Sequence, residues 1–302
     1  MLGKQFTDLT KASVLKDSDI FAVHDGNGLK KSSMGDVTAY MSDKFSNPNL
    51  LINPNFKINQ RGKAEYTSDG VVRYTVDRWR NLSLNVNAAT DGISLSADSQ
   101  NNDGGFFAQE LERPIDSETL FTLKVASVTG SIVVSVMDSA SNGNNLNITT
   151  SGIYSIGLAS QAKKVIIQVT KGSSCKIEWV KLEQGSIATP FVAPNPAEEL
   201  VKCERFLQII PEIYFIPYAS TRTAFSSNGQ YYQSAGGLFP VEMRTNPTVT
   251  YSNIHKANDE VISEKVTSVD SNKYGIGLVV IGNNVDYYTL RMKNIIADAE
   301  IY

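Results

Sequence analysis

Short segments in which apolar and polar residues alternate, separated by clusters of Gly, Ser, Asn and Thr, run through residues 49–192 with no helical periodicity of useful length between them. Such a chain can gather its apolar positions on one side only by pleating, because residues i and i+2 share a face in a strand and not in a helix. VIIQVT and CKIEWVKLE, separated by KGSS, predict a hairpin whose inward face carries Val165, Ile167, Val169, Cys175, Ile177 and Trp179. LFTLKVAS and GSIVVSVMD read as further strands split by a turn at Thr129-Gly130. The polar stretches DSQNNDGG at 98–105 and DSASNGNN at 138–145 read as exposed loops. Strands of this kind predict an antiparallel β-sandwich, most simply a jelly roll, over residues 49–194.

The flanks differ. A chain of 302 residues suits two ordinary domains and a small extra element. In residues 1–48, DIFAVHDGNGLKKSS predicts two short strands around a turn at Asp25-Gly26-Asn27-Gly28, since Gly and Asn accept the positive φ of tight turns. A helix should follow, capped by Ser33 with Asp36 three residues on, and with Val37, Tyr40, Met41 and Phe45 on its apolar face. So small a unit buries little surface alone and is expected to dock on partners or symmetry mates. Asn195-Pro196 opens a second helix, placed over 195–211 as a connector, with Glu198 and Glu199 at the positive end of its dipole. Leu200, Cys203, Leu207 and Ile210 recur at helical spacing, and two readings stay open: packing on the chain's own domain, or bundling around a symmetry axis. Residues 212–302 return to strands, with Pro217, Pro240 and Pro247 at edges or ends, and predict a second β-sandwich that forms a C-terminal tip.

Composition narrows the chemistry. A net charge of -3 gives no electrostatic reason for a nucleic-acid partner, because such affinity rests on Lys and Arg neutralising phosphates. The longest apolar runs, such as GLVVIG at 277–282, are far shorter than a membrane span, and MLGKQFTDLTKAS lacks the apolar core of a secretory signal, so synthesis in a cytoplasm is expected. Cys175 and Cys203 lie in no CxxC pair and near no His, and read as small buried apolar residues.

Catalysis finds little raw material. The two histidines, His24 and His255, fall in the hairpin and in a polar loop, and carboxylate pairs such as Asp98 with Asp103 or Glu110 with Glu112 are more simply loop charges or salt-bridge partners. The chain is therefore expected not to be an enzyme. No cofactor is expected; structural calcium is the exception left open, with Asn53, Asn55 and Glu183 as oxygen donors that serve equally as turn or capping residues. Sugar binding is the chemistry the composition favours, since an aromatic face stacks on a pyranose while amides, carboxylates and Arg satisfy its hydroxyls. Among 13 tyrosines, Tyr218, Tyr231 and Tyr232, with Arg222 and Arg244, lie in or near loops of the C-terminal region and are the glycan-binding candidates, each with an ordinary strand role as its alternative.

The order NLLINPNFKINQRG at 49–62, YTVDRW at 74–79, IEWVKLEQGSIATPF at 177–191 and EELVKCERFLQ at 198–208 resembles phage tail fibre and receptor-binding proteins with a carbohydrate-binding-module-like sandwich. FPVEMRTNPTVT at 239–250 and the closing ADAEIY resemble their tip domain, and FTDLTKASVLKDSDIFAVHDGNGLKKSSMGDVTAYM their virion-attachment segment. The resemblance implies a non-enzymatic homotrimer in a virion tail, held to tail or baseplate proteins through residues 1–48 and touching bacterial surface polysaccharide through the tip at 212–302. A tail-borne polysaccharide depolymerase and a purely architectural spacer are the alternatives.

Overall fold

The computed structural model describes residues 16–300 apart from 17, 25, 45, 98–103, 116–119, 158–160, 186, 216–230, 257–258, 260, 263–264 and 283–289. Among these residues the chain is mainly β, with two helices, and no helix is long and apolar enough to cross a membrane.

The N-terminal unit is a hairpin, Ile20–His24 against Leu29–Ser33, followed by the helix Met34–Lys44. Gly26 and Gly28 take φ of 90° and 144° in the turn. The reciprocal cap forms: the Ser33 backbone N–H donates to Asp36 Oδ2 at 2.7 Å, and the Asp36 N–H donates to Ser33 Oγ at 3.1 Å. The hairpin leaves Ile20, Phe21, Val23 and Leu29 exposed, Leu29 at 78%, and the helix exposes Tyr40 and Met41.

The central sandwich has two layers. One is a six-stranded sheet in the order Gly143–Ile148, Ile132–Met137, Ala162–Val169, Gly105–Ile115, Arg80–Leu82, Arg73–Tyr74. The other is split into a three-stranded part (Gly152–Gly157, Leu120–Ala126, Trp179–Gln184) and a four-stranded part (Ser174–Ile177, Gly92–Ala97, Leu84–Ala89, Glu65–Tyr66). A single apolar core lies between the layers, and Val165, Ile167, Val169, Cys175 and Ile177 all belong to it. Trp79 is its largest buried side chain, stacked on Phe107 at 4.8 Å, with Phe56 tilted against both rings.

Three details depart from the sequence reading. VIIQVT and CKIEWVKLE do not form a hairpin: Ala162–Val169 pairs with Ile132–Met137 and Gly105–Ile115, whereas Ser174–Ile177 pairs with Gly92–Ala97 in the opposite layer. The exposed turn between them passes from one layer to the other at the edge of the sandwich, and both segments face the same core because each layer presents one apolar side. The alternation also breaks at Glu178, between two strands, so Trp179 turns outward and stacks on Phe191 at 4.2 Å while Val180 and Leu182 enter the core. Finally, Gly143, Asn144 and Asn145, read as loop, start an edge strand paired with Ile132–Met137.

The C-terminal unit has a sheet in which Leu290–Asp298 is central, flanked by Leu207–Phe215 on one side and by Thr248–Thr250 and Ile254–Lys256 on the other. A second sheet runs Tyr231–Leu238, Gly275–Gly282, Lys265–Asn272. Phe239, Met243, Ile254, Ile276, Leu278, Met292 and Ile295 make its core. The connecting helix is shorter than the spacing suggested: it spans Pro196–Glu204, and Leu207 and Ile210 already lie in the next strand. Asn195 caps it by accepting from the Ala197 N–H at 2.9 Å. Cys203 and Leu207 are buried against this chain, Ile210 packs on the C-terminal core, and Leu200 is half-buried. The stripe is not one helical face, because Phe206 and Leu207 enter the junction between the two units and the helix stops to let them do so.

A candidate cleft between the sandwich and the C-terminal unit

The segments singled out by their order in the sequence converge on that junction. Asn53, at φ 53°, donates its backbone N–H to Glu199 Oε1 at 2.5 Å, and its side-chain amide donates to the carbonyls of Ile58 and Asp77. Gln60 Nε2 bridges Asp77 Oδ2 at 2.6 Å and the Leu207 carbonyl at 2.9 Å. Arg78, at φ 71° and with no exposed surface, donates its Nη1 to Glu300 Oε2 and its Nη2 to the Glu110 carbonyl at 2.7 Å. Its guanidinium lies 3.5 Å from the centre of the Phe206 ring. Arg205 pairs with Glu112 at 2.7 Å, and the Ala299 N–H donates to the Phe206 carbonyl at 2.7 Å. The two units are thus joined by buried hydrogen-bonded charge.

Beside this joint lies a cleft of about 820 Å³. Its sandwich wall comes from the segment 61–75 and Asn81, and its C-terminal wall from Ile209, Thr248, Thr250, Ile296 and Asp298. The second wall follows from register: Thr250 opposes Ile296, which opposes Ile209, and Thr248 opposes Asp298, so these residues share the sheet face turned away from the core. Glu65–Tyr66 and Arg73–Tyr74 are the outermost strands of their sheets, and Thr248–Thr250 pairs with Leu290–Asp298 alone among the described strands. Three sheet edges therefore meet at the cleft and supply peptide donors and acceptors beside its side chains.

Its electrostatics are mixed and largely self-compensated. Arg73 Nε bonds Asp69 Oδ2 at 2.5 Å, which holds the Asp69 carboxyl below its ordinary value. Arg61 stands 3.9 Å from Asp77 Oδ1 and 5.6 Å from the centre of the Tyr74 ring. Glu65 accepts from Asn87 Nδ2 at 3.2 Å, and Asp298 accepts from the Glu300 N–H at 2.9 Å. Tyr66 donates to Asn59 Oδ1 at 2.6 Å. Burial pushes the phenols of Tyr66 and Tyr74 up, so both keep their protons at neutral pH. Lys63 is exposed on the rim. Two tyrosines, Thr hydroxyls, an amide and oriented charge pairs suit a polyhydroxylated neutral ligand better than a strongly charged one.

Of the residues proposed from sequence, Arg244, Asn53, Asn55 and Glu183 do not line this cleft. Tyr218 and Arg222 lie outside the described residues, as do the side chains of Tyr231 and Tyr232, whose backbones sit in Tyr231–Leu238 opposite Gly282 and Ile281. Arg244 is exposed at the junction, its guanidinium 6.0 Å from the Phe206 ring centre and its N–H bonded to the Arg205 carbonyl. Asn53 is spent on the junction, Asn55 is half-buried, and Glu183 accepts from the Thr189 N–H and Oγ1 and pairs with Lys181, so the three do not converge. Among the described residues no group of His, Cys, Asp or Glu is arranged to hold a metal ion. His24 and His255 bond locally, to the Gly26 N–H and the Asp259 carbonyl, and Glu110 and Glu112 pair with Arg80 and Arg205. Sequence reasoning missed Tyr66, Arg73 and Tyr74; their signal was the pair of tyrosines flanking the turn cluster TSDGVVR, which has no clear periodicity.

No protein-family model and no curated protein matches the chain. Among solved structures it is similar to TmCBM61 in complex with beta-1,4-galactotriose, at 15% identity and a TM-score of 0.25, covering 46% of this chain and 99% of that one. It is also similar to discoidin II of Dictyostelium discoideum (14%, TM-score 0.23, 69% and 82% covered). A third is the CBM22-1–CBM22-2 tandem domain of Paenibacillus barcinonensis Xyn10C (10%, TM-score 0.28, 85% and 92% covered). At scores this low, function has to be read from the chain's own residues.

Proposed function

We propose that this protein is a non-enzymatic, glycan-binding receptor protein of the tail fibre kind. In this reading it is a homotrimer in a virion tail, attached to tail or baseplate proteins through residues 1–48 and holding bacterial surface polysaccharide at its distal end. The observation that carries the glycan half is the cleft between the sandwich and the C-terminal unit, with Tyr66, Tyr74, Arg61 and Arg73 on one wall and Thr248, Thr250 and Asp298 on the other. Sugar contact is thereby extended from the tip loops at 212–302 to include the junction. The fibre half is supported by the order of the sequence segments and by an N-terminal hairpin and helix whose apolar residues stay exposed on this chain.

Weak sites suffice for such a role. A shallow sugar site of about millimolar affinity contributes about -4 kcal/mol. Three linked copies raise avidity by about 10² to 10⁴ without any better contact. A binding role also agrees with Glu110 and Glu112 being committed to arginines.

Binding of the full-length protein to an array of bacterial surface polysaccharides tests the reading, with Tyr66→Ala and Thr250→Trp expected to weaken the retained glycan. Retention of none overturns it, as does the release of new reducing ends from a polysaccharide that is bound. Light scattering is expected to give three times the formula mass, and a stable monomer counts against the fibre.

A further inference from the structure

The cleft has a neighbour. A second hollow of about 320 Å³ lies on the four-stranded part of the sandwich, and Glu65, Tyr66 and Thr67 line both cavities. They form a common wall. Register explains the second hollow: Glu65 opposes Asn87, which opposes Ser94, and Asn85 opposes Ser96, which opposes Ser174, so short amide and hydroxyl side chains lie in rows across the solvent face. Burial agrees, since Val86, Leu95 and Cys175 on the alternate positions enter the core. Beyond the wall, these short side chains leave the hollow shallow and set hydroxyl and amide groups beside apolar surface.

Resting on the glycan reading above, we infer that the ligand is a linear polysaccharide gripped along its length: one stretch occupies the cleft, the chain crosses the wall at Glu65–Thr67, and the next stretch lies over Asn87, Ser96 and Ser174. A chain-terminal sugar would fill the cleft and leave the second hollow unused. A crossing chain uses both, and Tyr66 is the aromatic residue common to the two. Apart from the shared Tyr66, the second hollow offers hydroxyl and amide partners with no aromatic platform of its own, so it adds affinity only to a ligand already held in the cleft. Length dependence is therefore the signature of the site.

The test takes the polysaccharide best retained in the array and cuts it into size-graded fragments, from one repeating unit upward, for calorimetric titration of the full-length protein. Affinity should rise at least about tenfold from the shortest fragment to those of three or more units, then level off. Ser174→Trp, at an exposed position that blocks the second hollow, should cancel that rise and leave the shortest fragment unaffected; Asn87→Ala should reduce it about threefold; Tyr66→Ala should weaken every fragment. Equal affinity for all lengths overturns the inference while leaving the glycan reading standing, and so does a Ser174→Trp protein that still distinguishes long from short. Binding of no fragment by a folded protein removes both.

Discussion

The N-terminal hairpin and helix and the joint between sandwich and C-terminal unit invert each other's chemistry. The first turns hydrocarbon outward, with Ile20, Leu29 and Tyr40 exposed; the second turns charge inward, with the Arg78 and Glu300 side chains at 0% exposure. An exposed apolar face costs little in the isolated chain and becomes stabilising when covered. A buried ion pair costs desolvation that its Coulomb attraction barely offsets, and removing one partner strands the other. The joint is thus finished within one chain, whereas the N-terminal unit still has surface to cover. Buried charge thus joins the two lobes, and the cleft lies beside that joint.

The sharpest way to break the comparison is Glu300→Ala. It leaves the Arg78 guanidinium buried without its carboxylate, and about 3–5 kcal/mol of stability should be lost in chemical denaturation. A loss below about 1 kcal/mol would mean that water reaches the joint and that the lobes are not locked. Next comes Asn53→Ala, which deprives the Ile58 and Asp77 carbonyls and the Ile58 N–H of partners and places Ala at φ 53°, for an expected cost of about 1–3 kcal/mol. The same measurement should show Asn53→Gly retaining part of the loss, since it relieves only the backbone.

Proton linkage sharpens the contrast further. Burial raises the carboxyls of Asp77 and Glu300 above their ordinary values, against the pull of Gln60 on the first and Arg78 on the second. Because the folded state holds these protons more firmly, their contribution to stability falls as pH rises through the raised values and recovers as pH falls toward 4.5. Exposed carboxyls run the other way: Asp36, Asp69, Asp91, Glu242 and Asp259 are held low by hydrogen bonds, and their contribution is lost as pH falls through their depressed values. Proton uptake at these two groups should therefore offset the acid loss at the exposed carboxyls, so the thermal midpoint should hold as pH falls from neutral and collapse only below the ordinary carboxylate range. In Glu300→Gln that offset should shrink, and a midpoint in the parent protein that falls steadily from neutral pH would refute the assignment.

The smallest effect on stability belongs to the N-terminal unit. Leu29→Asp should change the unfolding free energy of the chain by no more than about 0.5 kcal/mol, because no core loses a side chain. On the tail-fibre proposal, sedimentation should show the same variant defective in self-association. A large loss of monomer stability would show that the hairpin packs on its own chain.

How far the sequence could be read depends on the interaction involved. The Ser33–Asp36 cap, the Gly26 and Gly28 turn, the Asn195 cap and the burial of both cysteines follow from neighbours within a few residues, and the structure contains all of them. Arg78 with Glu300 spans 222 positions, and no local pattern announces a pair at that distance. The cleft was illegible for the same reason, since Tyr66 and Tyr74 reach it from one lobe and Thr250 from the other. NLLINPNFKINQRG, YTVDRW and EELVKCERFLQ stood out as segments, yet their shared purpose, building the joint, appears only when they meet.

By itself, then, the sequence determined that this chain is mainly β, the inward residues of most of its strands, and where its helices start, because period and capping are written in local residue order. Which strands become neighbours was decided only by the tertiary structure. Period two marks a strand's apolar side but not its partner, so VIIQVT and CKIEWVKLE could satisfy the same pattern as a hairpin or as two layers of a sandwich. The fold chose the layers, since both apolar sides then face one core, and it ended the second helix at Glu204 so that Phe206 could cover a buried arginine.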